Sequence, residues 1–202
     1  TAPRPAFGAE FVGAAGFLNS PTYGLPPTFL VDALRGCIDQ WQAGTMNVPD
    51  FDDHVRAGRA AYAELTGVPA ASVAMGGSVS ALLGLVAAAI PDGARVATLA
   101  GEFTSTTFPF AAQVARGVTV TEMSGEELIA SAGAYDVVTA SLVQSANGDL
   151  LDVDGLRTAV ADADTITVVA VTQAVGWKAL DLGWVDVTAA AVYKWLLAPR
   201  GT

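Results

Sequence analysis

The chain has 202 residues, a formal net charge of −10, 52% hydrophobic residues against 15% charged, and a mean hydropathy of +0.45. That composition excludes intrinsic disorder, which needs few apolar residues and much charge. A chain of this length buries roughly 70% of its unfolded surface without metal or disulfide staples. The acidic balance excludes a non-specific nucleic-acid binder and makes an anionic membrane surface a poor partner.

Residues 1–27 read as an irregular arm, punctuated by Pro3, Pro5, Pro21, Pro26 and Pro27 and by Gly8, Gly13, Gly16 and Gly24. A helix is predicted from Thr28, with Phe29, Leu30, Val31, Leu34 and Ile38 on its inner face. A loop over 43–50 leads to a second helix at 51–65, opened by Asp50, Asp52 and Asp53 and ended by Gly67 and Pro69. From Val73 the pattern changes. Strands are predicted at 73–75, 95–99, 118–122, 137–140, 166–171 and 187–192, with helices at 79–90, 104–115, 125–132 and 153–161 between them. This alternation predicts an α/β fold with a mostly parallel sheet and helices on both faces. The run Ile166-Thr167-Val168-Val169-Ala170-Val171 is apolar on both sides, as a doubly covered strand requires. The chain divides into an arm with two helices, 1–66, and a larger unit, 67–202.

Residue counts narrow the chemistry. Cys37 is the only cysteine and His54 the only histidine, so no disulfide or multi-ligand metal site is expected. A Ser-His-Asp triad would have to use that one histidine. No signal peptide is visible, and the apolar run 81–90 is too short to span a bilayer, so a soluble cytoplasmic protein is expected. Lysine-dependent chemistry has two candidates, Lys178 and Lys194.

Ligands of open α/β sheets sit at the carboxyl ends of the strands. After the first predicted strand comes Met75-Gly76-Gly77-Ser78-Val79-Ser80, which opens a helix. It reads either as a phosphate cradle or as an ordinary strand-to-helix turn. Gly101-Glu102-Phe103-Thr104-Ser105 offers an aromatic face there, or a core phenylalanine beside a helix cap at Thr104 or Ser105. Val171-Thr172-Gln173 places polar groups at another strand end. In Ala191-Val192-Tyr193-Lys194-Trp195 a lysine lies between two aromatics. It reads evenly as a desolvated nucleophile or as a snorkelling surface lysine. Cradle, plate, clamp and lysine together are the set that pyridoxal 5′-phosphate needs.

Two blocks carry a resemblance. Val171-Thr172-Gln173-Ala174-Val175-Gly176 and Tyr193-Lys194-Trp195-Leu196-Leu197-Ala198-Pro199-Arg200-Gly201 resemble those of fold-type I pyridoxal-phosphate enzymes of the class V aminotransferase group. That group includes cysteine desulfurases, kynureninase and isopenicillin N epimerase-like proteins. The 76–80 turn, the 102–105 block with Pro109, and 144–148 with Asp152 and Leu156 support it.

The resemblance implies a fold-type I large domain over 67–202 and pyridoxal 5′-phosphate as cofactor. Lys194 would form the Schiff base and move the α-proton. Gly77, Ser78 and Val79 would hold the phosphate, and Phe103 would stack on the pyridine ring, with Tyr193 beside the lysine. Gln173 would reach the phenolic oxygen, and Ser145, or Gln144 beside it, lies where relatives carry a polar group. Asn19, Tyr23 and Asn47 lie in segments that border the substrate pocket in relatives. A small-molecule amino acid is the implied substrate, and a homodimer the implied assembly.

Three positions depart from the family pattern: Ala170 where relatives pair an Asp with the pyridinium nitrogen, Phe103 where desulfurases carry a His, and Ala191 where a phosphate-contacting Ser is common. Relatives also continue well beyond the lysine, through a strand inside the sheet and a small C-terminal domain. The chain therefore reads as truncated after the lysine block. The implied activity is aminotransferase-, lyase- or epimerase-like, and the alternative is a catalytically impaired or non-catalytic relative.

Overall fold

A computed structural model of the chain describes residues 3–13 and 15–201. The arm is not wholly irregular. β1 (Arg4–Ala6) and β2 (Ala9–Phe11) pair antiparallel, with Arg4 opposite Phe11. Phe7 and Gly8 form the two-residue connection with φ of 51° and 75°, the left-handed geometry that matches the twist of a hairpin. Pro5 is tolerated because a two-stranded ribbon is all edge.

α1 (Thr28–Ala43) and α2 (Asp52–Thr66) follow, each ended by a glycine with positive φ, Gly44 and Gly67. The expected inner face of α1 is not covered. No residue of α1 is buried, and Phe29, Leu34 and Ile38 are exposed. An apolar stripe marks a face that gains from cover but does not say what covers it. Between the helices, Asn47 and Asp50 form a reciprocal cap on a short turn, Val48–Phe51. Asp52 and Asp53 lie in the first turn of α2.

The rest is a five-stranded sheet, every pair parallel. Its strands are β3 (Arg95–Leu99), β4 (Thr119–Met123), β5 (Val137–Ser141), β6 (Ile166–Ala170) and β7 (Val187–Ala189), in the order β4-β3-β5-β6-β7. α3 (Val79–Ala89) and α4 (Thr104–Ala111) supply Leu83, Ala87 and Phe110 to a core that includes Val96, Val137 and Val168. α5 (Gly125–Ser131) and α6 (Val153–Val160) supply Leu128 and Leu156 to a second core with Ala97, Val138 and Val169. Neighbouring strand residues thus enter opposite cores, the period-2 pattern of a sheet covered on both faces.

Three further expectations are corrected. Residues 73–75 pair with no strand among the described residues; they and β7 line one groove of about 620 Å³ rather than bonding across it. A strand exists only through a partner's ladder. β7 ends at Ala189 instead of 192, and the N–H of Ala191 donates to Thr172 Oγ1 at 2.9 Å. The helix predicted to 115 ends at Ala111, and a short turn (Val114–Arg116) closes on Gly117 at φ 79°.

Candidate active site

Because all five strands run the same way, their carboxyl ends open on one edge, and a cavity lies there. Gly77, Ser78, Val79, Phe103, Ser145, Ala170, Gln173, Tyr193 and Lys194 all line it. So do Ser141, Thr172 and Arg200. The topology thereby brings together segments about a hundred residues apart in sequence.

Lys194 is only 8% exposed and has no hydrogen bond or ion pair among the described residues. Its Nζ stands 5.7 Å from the centroid of the Phe103 ring. Desolvation by burial holds its pKa below the ordinary 10.5, because burial disfavours the ammonium form. Phe103 itself is half exposed at the start of α4, so it faces the cavity rather than the core.

The lysine segment is fixed from several sides. The arm reaches it through Gly24, whose N–H donates to the Tyr193 carbonyl at 2.9 Å. A Cβ at Gly24 would collide with the carbonyl oxygen of Lys194, so this approach requires glycine. Tyr23 packs its ring 5.5 Å from that of Tyr193, and its hydroxyl accepts from the Arg200 N–H at 3.2 Å. Gln173 links four segments. Its Oε1 accepts from Trp195 Nε1 at 3.0 Å, its Nε2 donates to Ser145 Oγ at 3.3 Å and to the Pro21 carbonyl at 3.1 Å, and its own carbonyl accepts from Trp177 Nε1 at 2.6 Å.

The start of α3 also lines the cavity. Ser78 caps the helix, its Oγ accepting from the Ala81 N–H at 3.2 Å. First-turn N–H groups of a helix have no intrahelical acceptor, and the dipole is positive there. Among the described residues no carboxylate lines the cavity, and the two ionisable basic side chains that do are Lys194 and Arg200. In a chain of net charge −10 the guanidinium of Arg200 and the first-turn N–H groups of α3 suit this cavity to an anionic group.

Sequence reasoning left one carboxylate without a role. Glu102 sits just behind Phe103. It accepts from the Phe103 N–H at 2.8 Å, from Ser141 Oγ and Ser141 N–H, each at 2.6 Å, and from Gln144 Nε2 at 3.4 Å. Nothing in its local sequence signals this, because Ser141 lies 39 positions away. The substrate-bordering residues are more scattered. Tyr23 abuts the lysine segment as described. Neither Asn19 nor Asn47 lines the cavity: the Asn19 carbonyl accepts the N–H groups of Thr22 and Tyr23, and Asn47 caps its own turn.

No family model and no curated protein matches the chain. Solved structures do. The apo cysteine desulfurase of Thermococcus onnurineus NA1 superimposes with a TM-score of 0.75 at 18% identity, over 91% of this chain and 51% of that one. A lysine-to-alanine mutant of C-DES, with glycine covalently linked to its PLP cofactor, gives 0.76 at 17%, over 90% and 54%. The cysteine desulfurase CsdA of Escherichia coli gives 0.74 at 16%, over 90% and 51%. The fold is fold-type I.

The chain spans about half the length of these fold-type I structures. The parallel sheet and its flanking helices are thus the part of this chain that the fold likeness covers. At such identities the likeness concerns the fold, and the chemistry has to be argued from the cavity itself.

Proposed function

We propose that the cavity binds pyridoxal 5′-phosphate and serves the transformation of a small amino acid. The observation that carries this is Lys194: a lysine 8% exposed and, among the described residues, without a polar partner and in a cavity that no carboxylate lines. A buried cation is costly unless paired. A lysine tolerated there is suited to the neutral amine that takes a carbonyl.

The other residues fit the cofactor. The N–H groups at 77–79, at the start of α3, suit a phosphate. Phe103 supplies an aromatic face, and the Gln173–Ser145 pair a polar edge. When bound, pyridoxal phosphate supplies an aldehyde for covalent capture and a ring that withdraws electrons from an amino-acid Cα. Lys194 Nζ would then take and return the Cα proton as general base and acid. Phe103 would exclude water from one ring face, and Tyr193 and Tyr23 would hold the lysine segment in place.

Transamination, racemisation and elimination share that proton transfer, so the reading covers an aminotransferase-, lyase- or epimerase-like enzyme. Cys37 lies on α1 and does not line the cavity. A second reading, an impaired or non-catalytic relative, is favoured by Ala170, where a carboxylate could have stood in the cavity wall. Restoring it separates the two: Ala170→Asp raises turnover strongly only if its absence limits the chemistry. The whole assembly is proposed to be a cytoplasmic homodimer. Among the described residues no helix is long and apolar enough to cross a membrane.

The test is absorption spectroscopy with added pyridoxal phosphate, followed by a panel of amino acids. The expected result is a visible band that amino acids perturb and that Lys194→Ala loses. A band unchanged in Lys194→Ala, or none in the wild type, contradicts the proposal.

A further inference from the structure

Ser141 and Ala170 are opposite one another on adjacent parallel strands, and both line the cavity. Paired residues of neighbouring strands project to the same face, so Ser141 presents its side chain beside the position that lacks a carboxylate. A serine hydroxyl has one proton and two acceptor lone pairs. Here the proton is committed: Ser141 Oγ donates to Glu102 Oε1 at 2.6 Å, and the Ser141 N–H donates to Glu102 Oε2 at 2.6 Å. The carboxylate is held in turn by the Phe103 N–H at 2.8 Å, so its orientation is shared with the aromatic plate. Glu102 itself does not line the cavity. What the cavity sees is an oxygen whose lone pairs are free to accept and whose electron density is raised by an ionised partner.

Building on the pyridoxal-phosphate reading, we propose that Ser141, polarised by Glu102, accepts the ring N–H of the cofactor in place of a carboxylate at position 170. Glu102 is the positioning residue and Ser141 the contact. A hydrogen bond to the protonated form of a base favours that form, so the pair keeps a proton on the ring nitrogen that Ala170 alone could not. A purely structural role for Glu102, tying the end of β3 to the end of β5, predicts no effect on that proton.

The experiment loads the protein with pyridoxal phosphate labelled with ¹⁵N in the ring and follows the nitrogen's chemical shift against pH. Wild type, Glu102→Gln, Ser141→Ala and the double variant Ser141→Ala with Ala170→Asp are compared, with circular dichroism as the check on folding. The expected result is a ring nitrogen that loses its proton about tenfold more readily, roughly one pH unit lower, in either single variant. The double variant restores the wild-type titration or exceeds it. Unchanged titration in a folded, loaded Ser141→Ala overturns the proposal, and that variant decides if Glu102→Gln fails to fold. A wild type that takes up no labelled cofactor overturns this inference together with the function it rests on. A loaded wild type with unmoved variants overturns this inference alone.

Discussion

At Lys194 two aromatic neighbours in sequence become a buried environment in space, and this has a signed consequence for pH. Burial lowers the pKa from the ordinary 10.5, so the neutral amine appears at lower pH than on a solvated lysine. Amine acylation followed by peptide mass mapping should therefore show a lower pH midpoint for Lys194 than for the lysine of a short solvated peptide, whatever the plateau rates. Equal midpoints would contradict it. The same shift acts on folding. Between the folded and unfolded pKa values the unfolded chain binds the extra proton, so this group's contribution to stability rises as pH rises through that window. Gly24→Ala should destabilise the protein by about 1–3 kcal/mol in thermal denaturation, because the added methyl meets the Lys194 backbone. Lys194 was legible in the sequence because its signal is local: flanking aromatics after an apolar strand. Gly24 and Glu102 were not, because each is explained by partners far along the chain, the 193–194 backbone and Ser141.

α3 shows how an element serves both stability and the site. Its start is capped by Ser78 and faces the cavity, while Leu83 and Ala87 are fully buried in the sheet. Leu83→Ala should cost about 2–5 kcal/mol in a denaturant melt. Ser78→Ala should cost about 1 kcal/mol through loss of the cap. A Ser78→Ala cost as large as that of Leu83→Ala would mean that the cap is not its main role. The central strands were legible because both faces are apolar, and their helices because glycine and proline bound them. Residues 73–75 have the same apolar, β-branched composition, yet composition specifies only a disposition to pair. The hairpin at the arm was hidden by its brevity, since three-residue strands carry almost no periodicity. The exposed side of α1 shows the complementary limit: Leu34, Ile38 and Trp41 are spaced as an apolar stripe, and the pattern does not name the surface that covers it.

For the whole molecule, that stripe and the arm bear on assembly. α1 buries none of its sixteen residues, and the arm that precedes it packs against the lysine segment through Gly24 and Tyr23. Covering this face with a second copy is the expectation of the homodimer proposal. Ile38→Glu with Trp41→Glu should shift the sedimentation coefficient from dimer to monomer at micromolar concentration, and an unchanged dimer would place the interface elsewhere. The fold class was legible because alternation of strand and helix admits few architectures. The cavity's sign was not, since a net charge of −10 gives no hint that, among the described residues, the basic groups lining this cavity are Lys194 and Arg200 with no carboxylate beside them.

The account turns on Lys194 as the residue that takes the cofactor. Incubating the protein with pyridoxal phosphate, reducing with borohydride and mapping the modified peptide tests this most directly. The predicted result is one dominant adduct, on Lys194. Adducts spread over Lys178 and the amino terminus, or none at all, would contradict it.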